Sequence, residues 1–164
     1  MEKKMTILEK DKMPKGVLMH MGSEGPTPIS TSSLFDGKKV IIFSVPGAFT
    51  PTCSARHLPG FVENFEAFKE KGVDTLACMA VNDVFVMSAW GKSQEADGKI
   101  MMLADGNGDY SKALGLEMDG TDFGMGMRGK RFSIIVDDGV ITNLNIEAPG
   151  KFELSSAEYT LSQL

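Results

Sequence analysis

Positions 40–45 read Val-Ile-Ile-Phe-Ser-Val, and the residues that follow switch to a helical rhythm. A β-branched and aromatic run without polar alternation suits a strand buried on both faces, as happens where helices cover a sheet. The stretch from Thr52 to Lys71 supplies such a cover. Leu58, Phe61, Val62, Phe65 and Phe68 fall on one stripe, with Glu63, Asn64, Glu66 and Glu70 opposite. Gly72 is placed to end it. The alternation continues with a strand over Asp74–Val81, a helix over Asp83–Glu95, a strand over Lys99–Leu103 and a short helix near Tyr110–Leu114. Phe132–Val136, the turn Asp137-Asp138-Gly139 and Val140–Ile146 form a hairpin. A last helix opens at the capping box Ser155-Ser156-Ala157-Glu158. The first 30 or so residues read as short strands and turns. The pattern predicts one α/β domain over residues 1–164, with a central mixed β-sheet flanked by helices on both faces.

Charge narrows the choice of partners. A net charge of −5 and the absence of a basic stripe argue against nucleic acid. No apolar run is long enough to cross a bilayer. The N-terminal stretch is charged throughout and lacks the apolar core of a secretory signal. Two cysteines make no disulfide framework, so a cytoplasmic location with reduced thiols is expected. The twelve methionines suit adaptable core filling.

The chemistry concentrates at the carboxyl end of the first buried strand, where α/β sheets usually hold their sites. Thr50 suits an N-cap and Pro51 the first helical position, which makes Cys53 third in the helix. A sulfur in the first turn faces free backbone N–H groups and the positive end of the helix dipole, which favours the nucleophilic thiolate. Pro46 and Pro51 restrict the loop. Pro59-Gly60 inside the amphipathic stretch should cost a helix on the order of 4 kcal/mol relative to alanines. A kink is expected there, with the turns around Cys53 able to unwind on oxidation.

Other arrangements fit less well. His57 lies one turn beyond Cys53, but a base on the same helix has no orienting third group, so packing or hydrogen bonding suits it better than general base. Convergence of Cys53, His57, Cys78 and His20 on a metal has no supporting spacing. No second cysteine follows Cys53 to make a dithiol exchange motif. Cys78, in Leu76-Ala77-Cys78-Met79-Ala80-Val81, reads as an inert packing thiol.

The string Val45-Pro46-Gly47-Ala48-Phe49-Thr50-Pro51-Thr52-Cys53-Ser54, with His57-Leu58-Pro59-Gly60-Phe61, resembles the active-site motif of peroxiredoxins, especially the mammalian type-five and plant type-II subfamily. The likeness continues through Ala80–Asp83, Ala89–Gly91, Leu103–Asp105 and Lys130–Ser133, covering roughly residues 15 to 164. It implies a thioredoxin fold and a thiol-dependent peroxidase acting on hydrogen peroxide and alkyl hydroperoxides through a cysteine sulfenic acid. By this resemblance Cys53 is the peroxidatic cysteine and Thr50 the hydroxyl that bonds peroxide and sulfur. Pro46 shields the pocket, and Arg131 holds the thiolate and polarises the peroxide. Arg128, three residues earlier, is expected to be a solvated loop charge.

Plant type-II relatives carry a cysteine matching Cys78 that is often assigned as resolving, so Cys78 is resolving or structural. The C-terminal resolving cysteine of type-five relatives is missing from Phe152-Glu153-Leu154-Ser155-Ser156. Glutathione with glutaredoxin is then the first choice of reductant and thioredoxin the second. No metal or haem cofactor is implied. Related enzymes often form homodimers near the active site, where exposed Phe side chains or Trp90 could contribute. A peroxide sensor or holdase would use the same cysteine, and turnover separates those readings from an enzyme.

Overall fold

The computed structural model describes residues 6–164; positions 1–5 of the charged N-terminal stretch lie outside the described residues. In chain order the elements are β1 (Val17–Gly22), β2 (Gly25–Ser30), α1 (Thr31–Phe35), β3 (Lys39–Ser44), α2 (Leu58–Glu63), α3 (Phe65–Glu70) and β4 (Thr75–Ala80). They continue with α4 (Val84–Ser93), β5 (Ile100–Ala104), α5 (Asp109–Leu114), β6 (Glu117–Asp119), β7 (Met127–Gly129), β8 (Phe132–Asp137), β9 (Val140–Ile146) and α6 (Ala157–Ser162). Seven strands form one mixed sheet in the order β2-β1-β5-β4-β3-β8-β9, while β6 and β7 pair separately. Its centre, β5-β4-β3, is parallel, and β8 joins β3 antiparallel.

The unbroken hydrophobic runs are explained by cover on both faces. From β3 and β4, Ile41, Phe43, Leu76, Cys78 and Ala80 face Leu58, Phe61, Phe68, Met87 and Trp90. The alternate residues Val40, Ile42, Ala77 and Met79 face Leu34, Phe35, Tyr110 and Leu114. Phe61 and Phe68 have no exposed surface, and each stabilises the fold by roughly 1.5–3 kcal/mol through burial. The predicted hairpin forms with a two-residue turn in which Asp138 and Gly139 take φ of 49° and 79°. That left-handed pair matches the twist of the strands.

Three features depart from the sequence reading. The expected helix over 52–71 is not continuous, and its break is not at Pro59-Gly60. Cys53–His57 form a π-helical turn in which the Leu58 N–H reaches back to the Cys53 carbonyl. The chain breaks again at Asn64 (φ −97°, ψ 11°). Pro59 explains the first departure: it has no N–H to donate, and its ring would press on the carbonyl four residues earlier. The wide turn relieves that clash and leaves Pro59 at the start of α2, where the missing donor costs little. Second, the N-cap of α6 is Ser156, whose Oγ accepts from the Tyr159 N–H at 3.1 Å, not Ser155. Ser155 is drawn off by Glu147. Third, the short α1, which the sequence pattern did not reveal, follows the initial strands and is capped by Ser30.

Candidate active site

The loop after β3 is fixed before it reaches the cysteine. The Val45 N–H donates to the Met79 carbonyl at 3.2 Å, and the Ala48 N–H to Asn82 Oδ1 at 2.9 Å. Phe49 sits at φ 64°, a conformation that costs a bulky residue of order 1–3 kcal/mol, and its ring is 57% exposed. Thr50 stands at the N-cap position, its carbonyl taking the first helical bond from the Ser54 N–H at 2.9 Å. Its side chain does not cap the helix. The hydroxyl instead donates to the Gly47 carbonyl at 2.7 Å, which ties the loop across its own bend.

Cys53 is fully buried, and the group against its sulfur comes from the start of β8, the antiparallel neighbour of β3. Arg131, immediately before β8, donates from Nη2 to Cys53 Sγ at 3.1 Å and from Nη1 to His57 Nδ1 at 2.8 Å. A guanidinium only donates, so His57 Nδ1 must be the accepting nitrogen. The proton then resides on Nε2, 2.9 Å from the Ser155 carbonyl, to which it donates. His57 is therefore a neutral imidazole of one defined tautomer. Burial pushes its pKa down to about 3, the Arg131 cation pushes the same way, and the bond to Ser155 only partly opposes them. Phe43 and Phe152 each lie 5.0 Å from the imidazole between ring centroids.

Ser155 is held in turn. Its N–H and Oγ donate to Glu147 Oε2 at 2.8 and 2.7 Å, and the Glu153 N–H reaches the same oxygen at 2.7 Å. Burial alone would raise the Glu147 carboxyl, but the bonds from the Ser155 hydroxyl and the backbone N–H groups outweigh it and the net shift is downward. The Glu147 N–H donates to the Arg131 carbonyl at 3.0 Å. The bonds thus form a ring that leaves Arg131 by its side chain and returns to its backbone. Sequence reasoning missed Glu147 and Ser155, because an acidic residue at a strand end carries no signal of being buried.

The other singled-out residues separate clearly. Pro46, Arg131 and Phe152 line a cavity of about 260 Å³, which Arg131 links to the cysteine. Arg128 is not a solvated charge: it is half-buried, and bonds the Met125 carbonyl from Nε at 2.9 Å and the Val81 carbonyl from Nη1 at 3.1 Å. A fork of donors suits carbonyls left over where β4 ends. Trp90 is not exposed either; it is buried, and its Nε1 donates to Ser54 Oγ at 3.0 Å, directly behind the cysteine. Cys78 is fully buried in β4, level with Phe43 of β3. Burial, and then the neighbouring Cys53, hold its thiol well above the ordinary range, with Arg131 opposing. Both cysteines are free thiols. Among the described residues no group of three or more His, Cys, Asp or Glu is placed to hold a metal ion.

Comparisons with known proteins agree with this geometry. The Redoxin family model matches residues 8–161. The chain is 51% identical to Peroxiredoxin-2B of Arabidopsis thaliana over 135 residues, covering 82% of this chain and 83% of that protein. The structure of reduced Prx3 from Vibrio vulnificus in complex with hydrogen peroxide superposes with a TM-score of 0.93 at 49% identity, covering 96% of this chain and 99% of that one. A 1-Cys peroxiredoxin from Plasmodium falciparum superposes with a TM-score of 0.88 at 32% identity, covering 94% of this chain and 96% of that one. Family match, identity and superposition all extend over nearly the whole thioredoxin fold, and the chain belongs to the peroxiredoxins, thiol-dependent peroxidases of the Redoxin family.

Proposed function

We propose that Cys53 reduces hydrogen peroxide and alkyl hydroperoxides by direct attack and is regenerated by an external thiol. The observation that carries this reading is the Arg131 Nη2 bond to Cys53 Sγ at 3.1 Å, with Nη1 anchored on His57. The thiolate lone pair forms an S–O bond with the terminal peroxide oxygen, which keeps its hydrogen. The O–O bond breaks, and the leaving alkoxide (hydroxide, for hydrogen peroxide) takes a proton from solvent. Sulfur is oxidised by two electrons to the sulfenic acid, and the peroxide is reduced to alcohol or water. Negative charge moves from sulfur to the leaving oxygen, so a fixed guanidinium beside the sulfur serves both ends of the step. The Thr50 hydroxyl has committed its proton to Gly47, so it meets a peroxide O–H as an acceptor and orients it. Pro46 closes one wall of the approach. His57 positions Arg131 and moves no proton, since its free lone pair is already taken.

Regeneration needs two thiols. The first condenses with the sulfenic acid, releasing water and leaving a mixed disulfide; the second displaces Cys53 and leaves with the first as a disulfide. The burial of Cys78 in a central strand supports an outside donor, and the lack of a cysteine in Phe152-Glu153-Leu154-Ser155-Ser156 favours glutathione and glutaredoxin over thioredoxin. The exposed rings of Phe49, Phe85 and Phe123 support a homodimer. Peroxide consumption by wild type and Cys53→Ser, with the glutaredoxin and thioredoxin systems in parallel, tests the scheme. The mutant is expected to be inactive with either donor. Turnover by the mutant, or a wild type that stops after one equivalent with both donors, would overturn it.

A further inference from the structure

The cavity that Arg131 links to Cys53 carries a charge pattern that hydrogen peroxide does not require. Its lining includes Arg131, whose guanidinium reaches the sulfur, together with Arg56, Lys130 and Lys151, and with Pro46 and Phe152 as apolar walls. One carboxylate lies among the lining residues, that of Glu147. Its Oε2 already accepts three bonds from Glu153 and Ser155, so it is turned to the loop. Four cations around one cavity of about 260 Å³, in a chain of net charge −5, make a local field opposite in sign to the protein as a whole. Arg56 is further held in place over the Phe152 ring, its Cζ 4.7 Å from the centroid.

We infer that this cavity is a subsite for hydroperoxides that carry a carboxylate. The O–O group lies at Arg131, which both lines the cavity and contacts the Cys53 sulfur, the carbon stem lies along Pro46 and Phe152, and the carboxylate lies at Lys130 and Lys151. The inference rests on the peroxidase reading above and adds the class of substrate. The chemical step is unchanged: the terminal oxygen passes to sulfur and the carboxylate-bearing alcohol leaves. The two lysines act by drawing the anion in and holding it, so they raise the rate of encounter without touching the reacting atoms.

The experiment measures single-turnover oxidation of reduced protein without any thiol donor, followed by loss of free thiol. The oxidants are hydrogen peroxide, 6-hydroperoxyhexanoate and its methyl ester. Wild type should react about tenfold faster with the acid than with the ester at low salt, the lower end of what electrostatic steering provides. The preference should fall in 0.5 M KCl, as screening demands. In Lys130→Gln/Lys151→Gln the acid should slow to the rate of the ester, while hydrogen peroxide reacts as before. Equal rates for acid and ester in wild type, or a preference that survives in the double variant, would overturn the subsite and leave the peroxidase reading intact. Failure of hydrogen peroxide to oxidise Cys53 in wild type would overturn both.

Discussion

His57 makes the stability of this protein depend on pH in a range where its carboxylates contribute little. In the unfolded chain a histidine titrates near its ordinary value of about 6.5. In the fold its pKa is lowered to about 3, first by burial and then by Arg131. Between those values the unfolded state binds a proton that the folded state refuses, so stability falls as pH falls. The slope is about 1.4 kcal/mol per pH unit below about 6.5. From pH 7.5 to 5 the loss from this one group is about 2 kcal/mol. His57→Gln, which cannot titrate, removes the slope. At pH 7.5 the variant should be less stable by about 2–4 kcal/mol, because the ring fills a buried site and bonds both Arg131 and Ser155. At pH 5 that gap should shrink by about 2 kcal/mol. Urea unfolding of the reduced proteins at pH 7.5, 6 and 5 measures both values. A gap of the same size at all three would show that folded His57 protonates as readily as unfolded, and would refute the neutral tautomer assigned from the Arg131 contact.

Arg131→Met should slow Cys53 oxidation by hydrogen peroxide about 10²–10³-fold, and Arg131→Lys should recover only part of the loss because the fork to sulfur and His57 is gone; stopped-flow kinetics decides. Glu147→Gln replaces the carboxylate that takes up three donors and should cost about 1–3 kcal/mol by urea unfolding, with Arg131-dependent activity falling alongside. Cys78→Ser puts a hydroxyl into a fully buried strand position and should cost about 1–3 kcal/mol. Its turnover with glutathione and glutaredoxin should stay at the wild-type level, and loss of that turnover would make Cys78 the resolving thiol. Hydrogen exchange should show residues 50–58 opening more readily after Cys53 is oxidised, because the added oxygen disturbs the Arg131 contact to the sulfur; equal protection in both states would refute the link.

Much of the fold was legible because its causes are local. Runs such as Val40–Val45 and Leu76–Val81 are short and bounded by turn residues, which favours buried strands over helices, and Asp138-Gly139 favours a tight hairpin turn. The cysteine, too, could be found from its place after a buried strand. What stayed hidden depends on atoms brought together across the chain. Pro59 could be read as a disturbance of the helix, but whether it kinks, breaks or widens the preceding turn depends on what α2 must pack against. By spacing alone Arg128 and Arg131 look equivalent, since both are guanidinium forks beside a strand, and only the family resemblance chose Arg131. The physical difference lies in the position of Val81 and Met125 against one, and of Cys53 and His57 against the other.

The same consideration explains why one arginine can stay beside a buried sulfur. A long side chain surrenders up to about 2 kcal/mol of rotamer entropy when it is fixed, and a single bond to sulfur would barely offset that. Here the cost is spread over a closed ring: Arg131 to His57, His57 to Ser155, Ser155 to Glu147, and Glu147 back to the Arg131 carbonyl. His57, Ser155 and Glu147 are each less than a tenth exposed, so a broken link leaves a buried polar group without a partner. Movement of Arg131 away from Cys53 therefore leaves the buried His57 Nδ1 without its donor. Attack on peroxide uses the ring closed; access of a thiol donor to a fully buried sulfur requires the cysteine's π-helical turn to leave it. The wide turn bears on that second step, because Pro59 has already removed one helical hydrogen bond that would otherwise hold the turn shut.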